Sequence, residues 1–393
     1  MSFSTAPFPF VSVSGTPYER GHQHGRALAA RVRRSASLYN GTLDRLGFGG
    51  ERGNALIRKF ALQIEAFGAH YVEEMRGIAD GAELPFEQVV MINARTEVIA
   101  EARRLSQADA QAAAALAPRD GCTGAVILPG RSGAGRLIHG QNWDWRAECA
   151  ETAIVLRVRR DDGPDFVTFV EAGGLARNGF NAAGIAITAN YLRSDRDYSQ
   201  TGVPLALIRR KVLEQEHFAL AIRAVAATPK SCSNNMMLSH ADGVAIDLEC
   251  APDESFALWP TDGLLVHANH FTSAAALAKL RDTGIPDSPD SYYRDLRVRD
   301  ALEAAGTALT PDDLKRALFD SFGTPYSVCR PPRPGSHDDL SATVAMVVME
   351  PGAGWMDVAP LPALNRVFTR YSLAHEPQTL GGVTPSPSGR GLG

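Results

Sequence analysis

The chain has 393 residues, 45% hydrophobic and 21% charged, which is ordinary for a globular protein with a sizeable core. Its formal net charge of -4 argues against a dedicated nucleic-acid-binding surface. No apolar run approaches the roughly 18 residues of a membrane span, and the first ten residues lack the basic and apolar regions of a signal peptide. These features predict a cytoplasmic protein that binds neither nucleic acid nor membrane.

Helical patterns dominate the first third of the chain. Residues 8–14 alternate between apolar and polar as a short strand would. The stretch Thr16-Pro17-Tyr18-Glu19 has the form of a capping box with proline at the first helical position, which predicts a helix to about Tyr39. Apolar residues then recur at spacings of three and four over 56–78, which predicts one long amphipathic helix that ends at Gly81.

A glycine directly precedes a cysteine in Asp120-Gly121-Cys122-Thr123, where the helical pattern gives way to a strand pattern. Cleavage between Gly121 and Cys122 would give Cys122 both a thiol and a free α-amino group. Because that amine has a pKa of about 8, it can take the thiol proton and make the sulfur a nucleophile. A buried structural cysteine is the alternative interpretation. The Ala/Gln-rich residues 106–119 are predicted to be an exposed, mobile connection or a plain surface loop.

Strand patterns follow Cys122, beginning with a predicted hairpin of residues 122–128 and 136–143. Further strands are predicted at 153–159, 166–171, 185–190, 235–239, 244–249, 264–268 and 343–350, and helices at 201–226, 291–305 and 311–319. Strands, a helical layer and more strands indicate a layered α+β unit.

Polar residues at the ends of predicted strands are candidates for a site. The hairpin brings Asp144 near Cys122, where its carboxylate would orient the amine, although an aspartate that caps a turn fits the spacing equally well. The side-chain amide of Asn269 is a candidate donor to a developing oxyanion. Asn190 and Tyr191, at another strand end, are candidates for oxyanion or substrate contacts.

Two histidines in His267-Ala268-Asn269-His270 stand three residues apart, but no third ligand has a suggestive spacing, so we predict no metal site. A conventional cysteine protease that pairs Cys122 with His267 or His270 remains an alternative. It would work with an uncut chain.

Several stretches resemble those of one enzyme family. In chain order they are Gly15-Thr16-Pro17-Tyr18-Glu19-Arg20-Gly21, His24-Gly25, Tyr71-Val72-Glu73-Glu74-Met75-Arg76-Gly77-Ile78-Ala79, Met91-Ile92-Asn93-Ala94-Arg95-Thr96-Glu97, Asp120-Gly121-Cys122-Thr123, Gly140-Gln141-Asn142-Trp143-Asp144, Glu171-Ala172-Gly173, Gly179-Phe180-Asn181-Ala182-Ala183-Gly184, Thr201-Gly202-Val203-Pro204 and His267-Ala268-Asn269-His270. On these stretches the chain resembles the acyl-coenzyme A:6-aminopenicillanic acid acyltransferase (isopenicillin N acyltransferase) family, peptidase family C45, among the N-terminal nucleophile hydrolases.

The resemblance implies an α+β fold, a four-layer αββα sandwich with a helical N-terminal segment. It implies a zymogen that cuts itself. Residues 1–121 would be released by self-cleavage yet stay packed on the core, and residues 122–380 would form the catalytic segment. Residues 381–393, rich in Gly, Pro and Ser, are predicted to be a disordered tail.

The resemblance also implies roles for individual residues. Cys122 would carry a thioester acyl group, Asp144 would contact its terminal amine, and Asn269 would help to form the oxyanion hole. The segment that carries a late arginine in the fungal enzymes reads Asp339-Leu340-Ser341-Ala342-Thr343 here. Arg330 is the nearby arginine that would replace it as an oxyanion or substrate contact.

These features together predict an enzyme that hydrolyses a small linear amide through an acyl-Cys122 intermediate, acting on carbon–nitrogen bonds other than peptide bonds. Transfer of the acyl group from a thioester or amide to a small amine is the alternative. No cofactor is required. The expected partners are the acylated small molecule and the two fragments of the cut chain, held together as a heterodimer. A non-enzymatic scaffold that kept the fold is a further alternative.

Overall fold

A computed structural model describes residues 4–106, 121–335 and 339–382. Its helices are α1 Pro17–Ala27, α2 Ala29–Arg45, α3 Glu51–Phe67, α4 Ala69–Ala82, α5 Phe86–Leu105, α6 Leu205–Leu213, α7 Phe218–Ala226, α8 Ala274–Leu277, α9 Ser291–Ala304 and α10 Pro311–Leu318. Its strands are β1 Phe10–Val13, β2 Cys122–Ile127, β3 Ile138–Arg146, β4 Ala153–Val158, β5 Phe166–Glu171, β6 Asn178–Asn181, β7 Ile185–Tyr191, β8 Asn234–His240, β9 Val244–Cys250, β10 Ser255–Leu258, β11 Leu264–His267, β12 Arg333–Pro334, β13 Leu340–Glu350, β14 Trp355–Pro360, β15 Val367–Ser372 and β16 Gln378–Gly382.

The strands form two sheets. The first has the order β1-β4-β5-β6-β7-β8-β9-β10, and the second has the order β11-β2-β3-β13-β14-β15-β16, with β12 paired to β13. The pair β1–β4 is parallel and the other strand pairs of the described chain are antiparallel. The segment before Cys122 therefore contributes a strand to the first sheet as well as helices.

The alternation of side chains along the strands assigns each sheet two apolar faces. In β4, Ile154 and Leu156 pack in the core that holds helices α2–α7, while Val155 packs between the sheets. In β13, Val347 packs between the sheets, while Met346 packs in the core with α9 and α10. The order of layers is helices, sheet, sheet, helices, and the predicted four-layer αββα sandwich is confirmed.

The first helices differ from the sequence prediction in where they break. The helix expected through Tyr39 is interrupted at Leu28, and the long helix expected over 56–78 is interrupted at Gly68. Gly81 does not end its helix. It faces α1 so closely that a Cβ there would overlap the carbonyl oxygen of His22. The helix ends instead at Glu83, in the left-handed conformation (φ 55°).

The predicted capping box of α1 is confirmed, because the Thr16 hydroxyl accepts from the Glu19 backbone N–H and the Glu19 carboxylate accepts from the Thr16 N–H. The helix expected over 201–226 is two helices, α6 and α7. Strands β1–β5, β7–β9, β11 and β13 overlap predicted strands, whereas β6, β10, β12 and β14–β16 were not predicted.

Two sequence predictions concern residues at the margins of the described chain. Of the predicted connection 106–119, residues 107–119 lie outside the described residues. Strand β16 extends to Gly382, two residues into the predicted tail, and residues 383–393 are not described. Within the described ranges, no helix is long and apolar enough to cross a membrane.

Candidate active site

Strand register brings the predicted site residues together at one edge of the second sheet. The β2–β3 pairing, which confirms the predicted hairpin, places Cys122 opposite Trp143, so that the N–H of Asp144 donates to the Gly121 carbonyl (3.1 Å). The chain beyond β11, which also pairs with β2, carries Asn269 to Cys122. The Cys122 N–H donates to Oδ1 of Asn269 at 2.6 Å. With the preceding bond intact, this donor is a peptide nitrogen.

Cys122 lies in the wall of a cavity of about 560 Å³, a size suited to a small organic ligand. The cysteine is 7% exposed. The aromatic side chains of the wall are Tyr39, Trp143, Trp145, Tyr191, Tyr198, Tyr293 and Tyr326, and the arginines are Arg95, Arg103, Arg146, Arg177, Arg209 and Arg333. Five carboxylates, of Glu97, Asp144, Asp287, Asp290 and Asp339, also lie in the wall, so the cavity combines aromatic surface with charged groups of both signs.

Asp144 is fully buried and lies in the wall of the same cavity as Cys122. Its Oδ1 accepts from the Thr343 hydroxyl (2.6 Å), and its Oδ2 lies 3.2 Å from Nε of Arg330. Burial raises the pKa of Asp144 to about 6, although the charges of Arg330 and Arg294 oppose the increase. The carboxylate is thus mostly ionised at neutral pH.

Arg294 on α9 was not predicted, yet it contacts both Cys122 and Asn269. Its Nη1 donates to the Cys122 carbonyl (2.7 Å) and to the Thr123 hydroxyl (2.8 Å). Its Nη2 donates to Oδ1 of Asn269 (2.8 Å), and its Nε donates to the Asp290 carboxylate (2.8 Å). This fully buried guanidinium therefore fixes both the backbone of Cys122 and the side chain of Asn269.

The position of Arg330 differs from the predicted contact with a ligand in the cavity. It is fully buried, its guanidinium forms ion pairs with Asp144 and Asp290, and it does not line the cavity. Its guanidinium instead contacts Asp144, which does line the cavity. Gly121 lies against Arg330, because a Cβ at this position would be 2.6 Å from Nη2 of Arg330 and 2.9 Å from Nη2 of Arg294.

Asn190 is also not positioned as a substrate or oxyanion contact. Its Nδ2 donates to the carbonyls of His267 (3.0 Å) and Ala268 (2.8 Å), so its amide holds the backbone that leads to Asn269. Tyr191 does line the cavity, as expected of a substrate contact. Its carbonyl accepts from Nδ2 of Asn269 (2.8 Å), which orients that amide toward Cys122.

Neither histidine of the 267–270 stretch lines the cavity. Nε2 of His267 lies 2.8 Å from the Glu249 carboxylate, and Nδ1 of His270 lies 2.9 Å from the Ser291 hydroxyl. Burial alone would lower the pKa of His267, but the charges of Asp247 and Glu249 raise it to about 9. An imidazolium held in this way is a poor general base. The described residues contain no group of three His, Cys, Asp or Glu that could hold a metal ion.

Solved structures with some likeness to this chain include amide-cleaving enzymes. An N-acylethanolamine-hydrolyzing acid amidase ortholog from Caenorhabditis elegans matches 59% of this chain and 93% of its own, with 17% identity and a TM-score of 0.42. Penicillin V acylase from Agrobacterium tumefaciens matches 60% of this chain and 82% of its own, with 16% identity and a TM-score of 0.40.

Sequence comparison gives a closer relationship. The chain is 28% identical over 327 residues to the acyl-coenzyme A:6-aminopenicillanic-acid-acyltransferase 40 kDa form of Emericella nidulans, covering 81% of this chain and 84% of that protein. The sequence profile of the family described as acyl-coenzyme A:6-aminopenicillanic acid acyl-transferase matches residues 131–359, more than half of the chain, and includes Asp144 and Asn269. The chain therefore belongs to the acyl-coenzyme A:6-aminopenicillanic acid acyltransferase family.

Proposed function

We propose that this protein is a self-processing cysteine amidohydrolase that cleaves its own Gly121–Cys122 bond and then hydrolyses a small linear amide through an acyl-Cys122 thioester. One observation carries the proposal. Cys122 begins β2 in a cavity wall. Its N–H donates a hydrogen bond to Oδ1 of Asn269, and its carbonyl accepts one from Arg294. These contacts hold the backbone of Cys122 in place in the cavity wall.

In self-cleavage, Sγ of Cys122 attacks the Gly121 carbonyl carbon, and the carbon–nitrogen bond breaks as the Cys122 nitrogen takes a proton. Water then hydrolyses the resulting thioester and releases the free thiol and amine. The Asp144 N–H, which donates to the Gly121 carbonyl, supports the developing oxyanion. The two fragments would stay together as a heterodimer, because helices α2–α5 share one apolar core with the first sheet.

In substrate turnover, the released Cys122 amine takes the thiol proton, and the sulfur attacks the substrate carbonyl. The amine then gives the proton to the leaving nitrogen, and water repeats the sequence to release the acid. Asn269 donates one N–H to the Tyr191 carbonyl, and in this proposal its second N–H donates to the reacting oxygen. Asp144, ionised at neutral pH, orients the ammonium form of the amine.

Acyl transfer to a small amine is the second candidate function, and the family membership supports it. It shares every step up to the acyl-Cys122 thioester and differs only in the nucleophile that takes the acyl group. Hydrolysis needs only water, whereas transfer needs a second binding site that excludes water. We therefore favour hydrolysis.

Trapping of the acyl-enzyme tests the proposal. After incubation with p-nitrophenyl hexanoate or N-hexanoyl-p-nitroaniline, we expect the 122–393 fragment to gain the mass of one hexanoyl group at Cys122. The Cys250→Ala variant, which alters a buried cysteine in β9, is expected to be labelled equally. Absence of label on the wild type, or label that persists in Cys122→Ala, contradicts the proposal. Adding an amine such as glycine methyl ester and measuring hexanoic acid against hexanoyl amide separates hydrolysis from transfer.

A further inference from the structure

Arg209 on α6 is a buried cation in the cavity wall, and no carboxylate of the described residues lies within 4.0 Å of it. The residue is 8% exposed, and its Nε is buried without a hydrogen-bond partner. Among the described residues, its guanidinium forms no hydrogen bond and no ion pair within 4.0 Å. Its neighbour Arg210, by contrast, is bound to the carboxylates of Glu74 (2.7 Å) and Glu214 (2.8 Å).

Three other arginines of the cavity wall lie within 4.0 Å of carboxylates of the protein. Arg95 and Arg177 share the Glu171 carboxylate, at 2.8 and 3.4 Å. Arg146 lies 3.2 Å from Asp339. The charges of these three arginines are balanced without a ligand. The charge of Arg209 has no such carboxylate partner.

Glu97 is the acidic side chain whose charge acts on Arg209, and its carboxylate already accepts a hydrogen bond from the backbone. Oε1 of Glu97 accepts from the Leu205 N–H at the start of α6 (2.9 Å), and burial raises the pKa of Glu97. Burial, followed by the charge of Arg95, lowers the pKa of Arg209 to about 10, so the guanidinium is still charged at neutral pH. A buried charge without a partner is costly, and an anion from the ligand would offset that cost.

We propose that Arg209 binds a carboxylate of the substrate, so that the amides cleaved by this protein carry a negative charge on either the amine or the acyl portion. A guanidinium holds a carboxylate through two parallel hydrogen bonds, which fixes the direction of the ligand as well as its position. Cys122 and Arg209 both line the same cavity of about 560 Å³, so one small molecule can contact both groups. The inference rests on the proposed function and specifies its substrate class.

Matched pairs of substrates test the inference and distinguish the two positions of the carboxylate. N-hexanoylglycine is compared with N-hexanoylglycinamide, and N-butylglutaramic acid with its primary amide. For the wild type we expect kcat/KM to favour the carboxylate in one pair by about 10- to 100-fold, mainly through KM, as for a hydrogen-bonded charge. In Arg209→Gln that ratio should fall to near one, and Arg209→Lys should recover part of it. Arg299→Gln on α9, outside the cavity, should keep the wild-type ratio.

A wild type that turns over both members of each pair equally would overturn the inference and leave the proposed function standing. So would a carboxylate preference that survives in Arg209→Gln. If none of the four substrates is turned over and no acyl-Cys122 forms, the proposed function fails. Calorimetric binding to Cys122→Ala then decides the inference separately. N-hexanoylglycine should bind at least about 10-fold more tightly than its amide, and adding Arg209→Gln should remove the difference. Equal binding would overturn the inference.

Discussion

Replacing Arg294 by glutamine is expected to slow self-cleavage by at least about 10²-fold, as for removal of an oxyanion-hole donor. The change removes the donors to the Cys122 carbonyl and to Oδ1 of Asn269, which together hold the nucleophile in place. It also removes one of the two guanidinium partners of the buried Asp290, which should lower the free energy of unfolding by about 1.5–3 kcal/mol, as for the loss of a hydrogen bond to a charged group. Intact mass against time measures the cleavage, and denaturant unfolding measures the stability.

The control for this change lies on the same helix. Arg297→Gln removes an ion pair with Asp320 from a side chain that is 43% exposed, so cleavage and stability should stay close to the wild type. Arg294→Lys, which keeps the charge but not the planar fork, should fold better than Arg294→Gln and still cleave slowly. A folded Arg294→Gln protein that is cut at the wild-type rate would show that Arg294 has no part in processing.

Adding one methyl group in Gly121→Ala is expected to slow self-cleavage strongly, by about 10-fold or more. The new Cβ would overlap the guanidinium groups of Arg330 and Arg294, which ion pairs with Asp290 hold in place. The backbone must move to relieve the overlap, which displaces the Gly121 carbonyl from the Asp144 N–H. Such overpacking typically costs about 1–3 kcal/mol, and a shift of 1.4 kcal/mol in the barrier is a factor of about ten in rate.

Gly130→Ala is the matched control, because a Cβ there would meet nothing within 4 Å. It should be cut at the wild-type rate and be equally stable in denaturant. Cleavage of Gly121→Ala at the wild-type rate would contradict the prediction. It would show that the contact of residue 121 with the guanidiniums of Arg294 and Arg330 does not affect self-cleavage.

The sequence predicted the part of the site that local strand geometry decides. Alternation along 122–128 and 136–143 indicated a hairpin, and hairpin register placed Asp144 at Cys122. Asn269 follows β11, which pairs with β2, so a motif at a strand end was sufficient to find it. The side-chain direction of Asn190 was not predictable, because the two carbonyls that bind it belong to another strand's end.

Arg294 and Arg330 could not be found in this way, because they approach Cys122 from segments far away in sequence. One signal was present in α9. Arg294 occurs at helical spacing with the buried Val298 and Leu302, on the apolar face of an otherwise charged helix. An arginine on such a face, four residues after Asp290, indicates a buried ion pair. The helix interruptions at Leu28 and Gly68 were not predicted. At Gly68 the helical spacing of apolar residues continues from α3 into α4.

The mass of purified, active protein tests the central claim most directly. We predict two fragments that copurify, residues 1–121 and residues 122–393, the second beginning with a free cysteine, and a single uncut and inactive chain for Cys122→Ala. A fully active preparation in which the Gly121–Cys122 bond is unbroken would contradict the account.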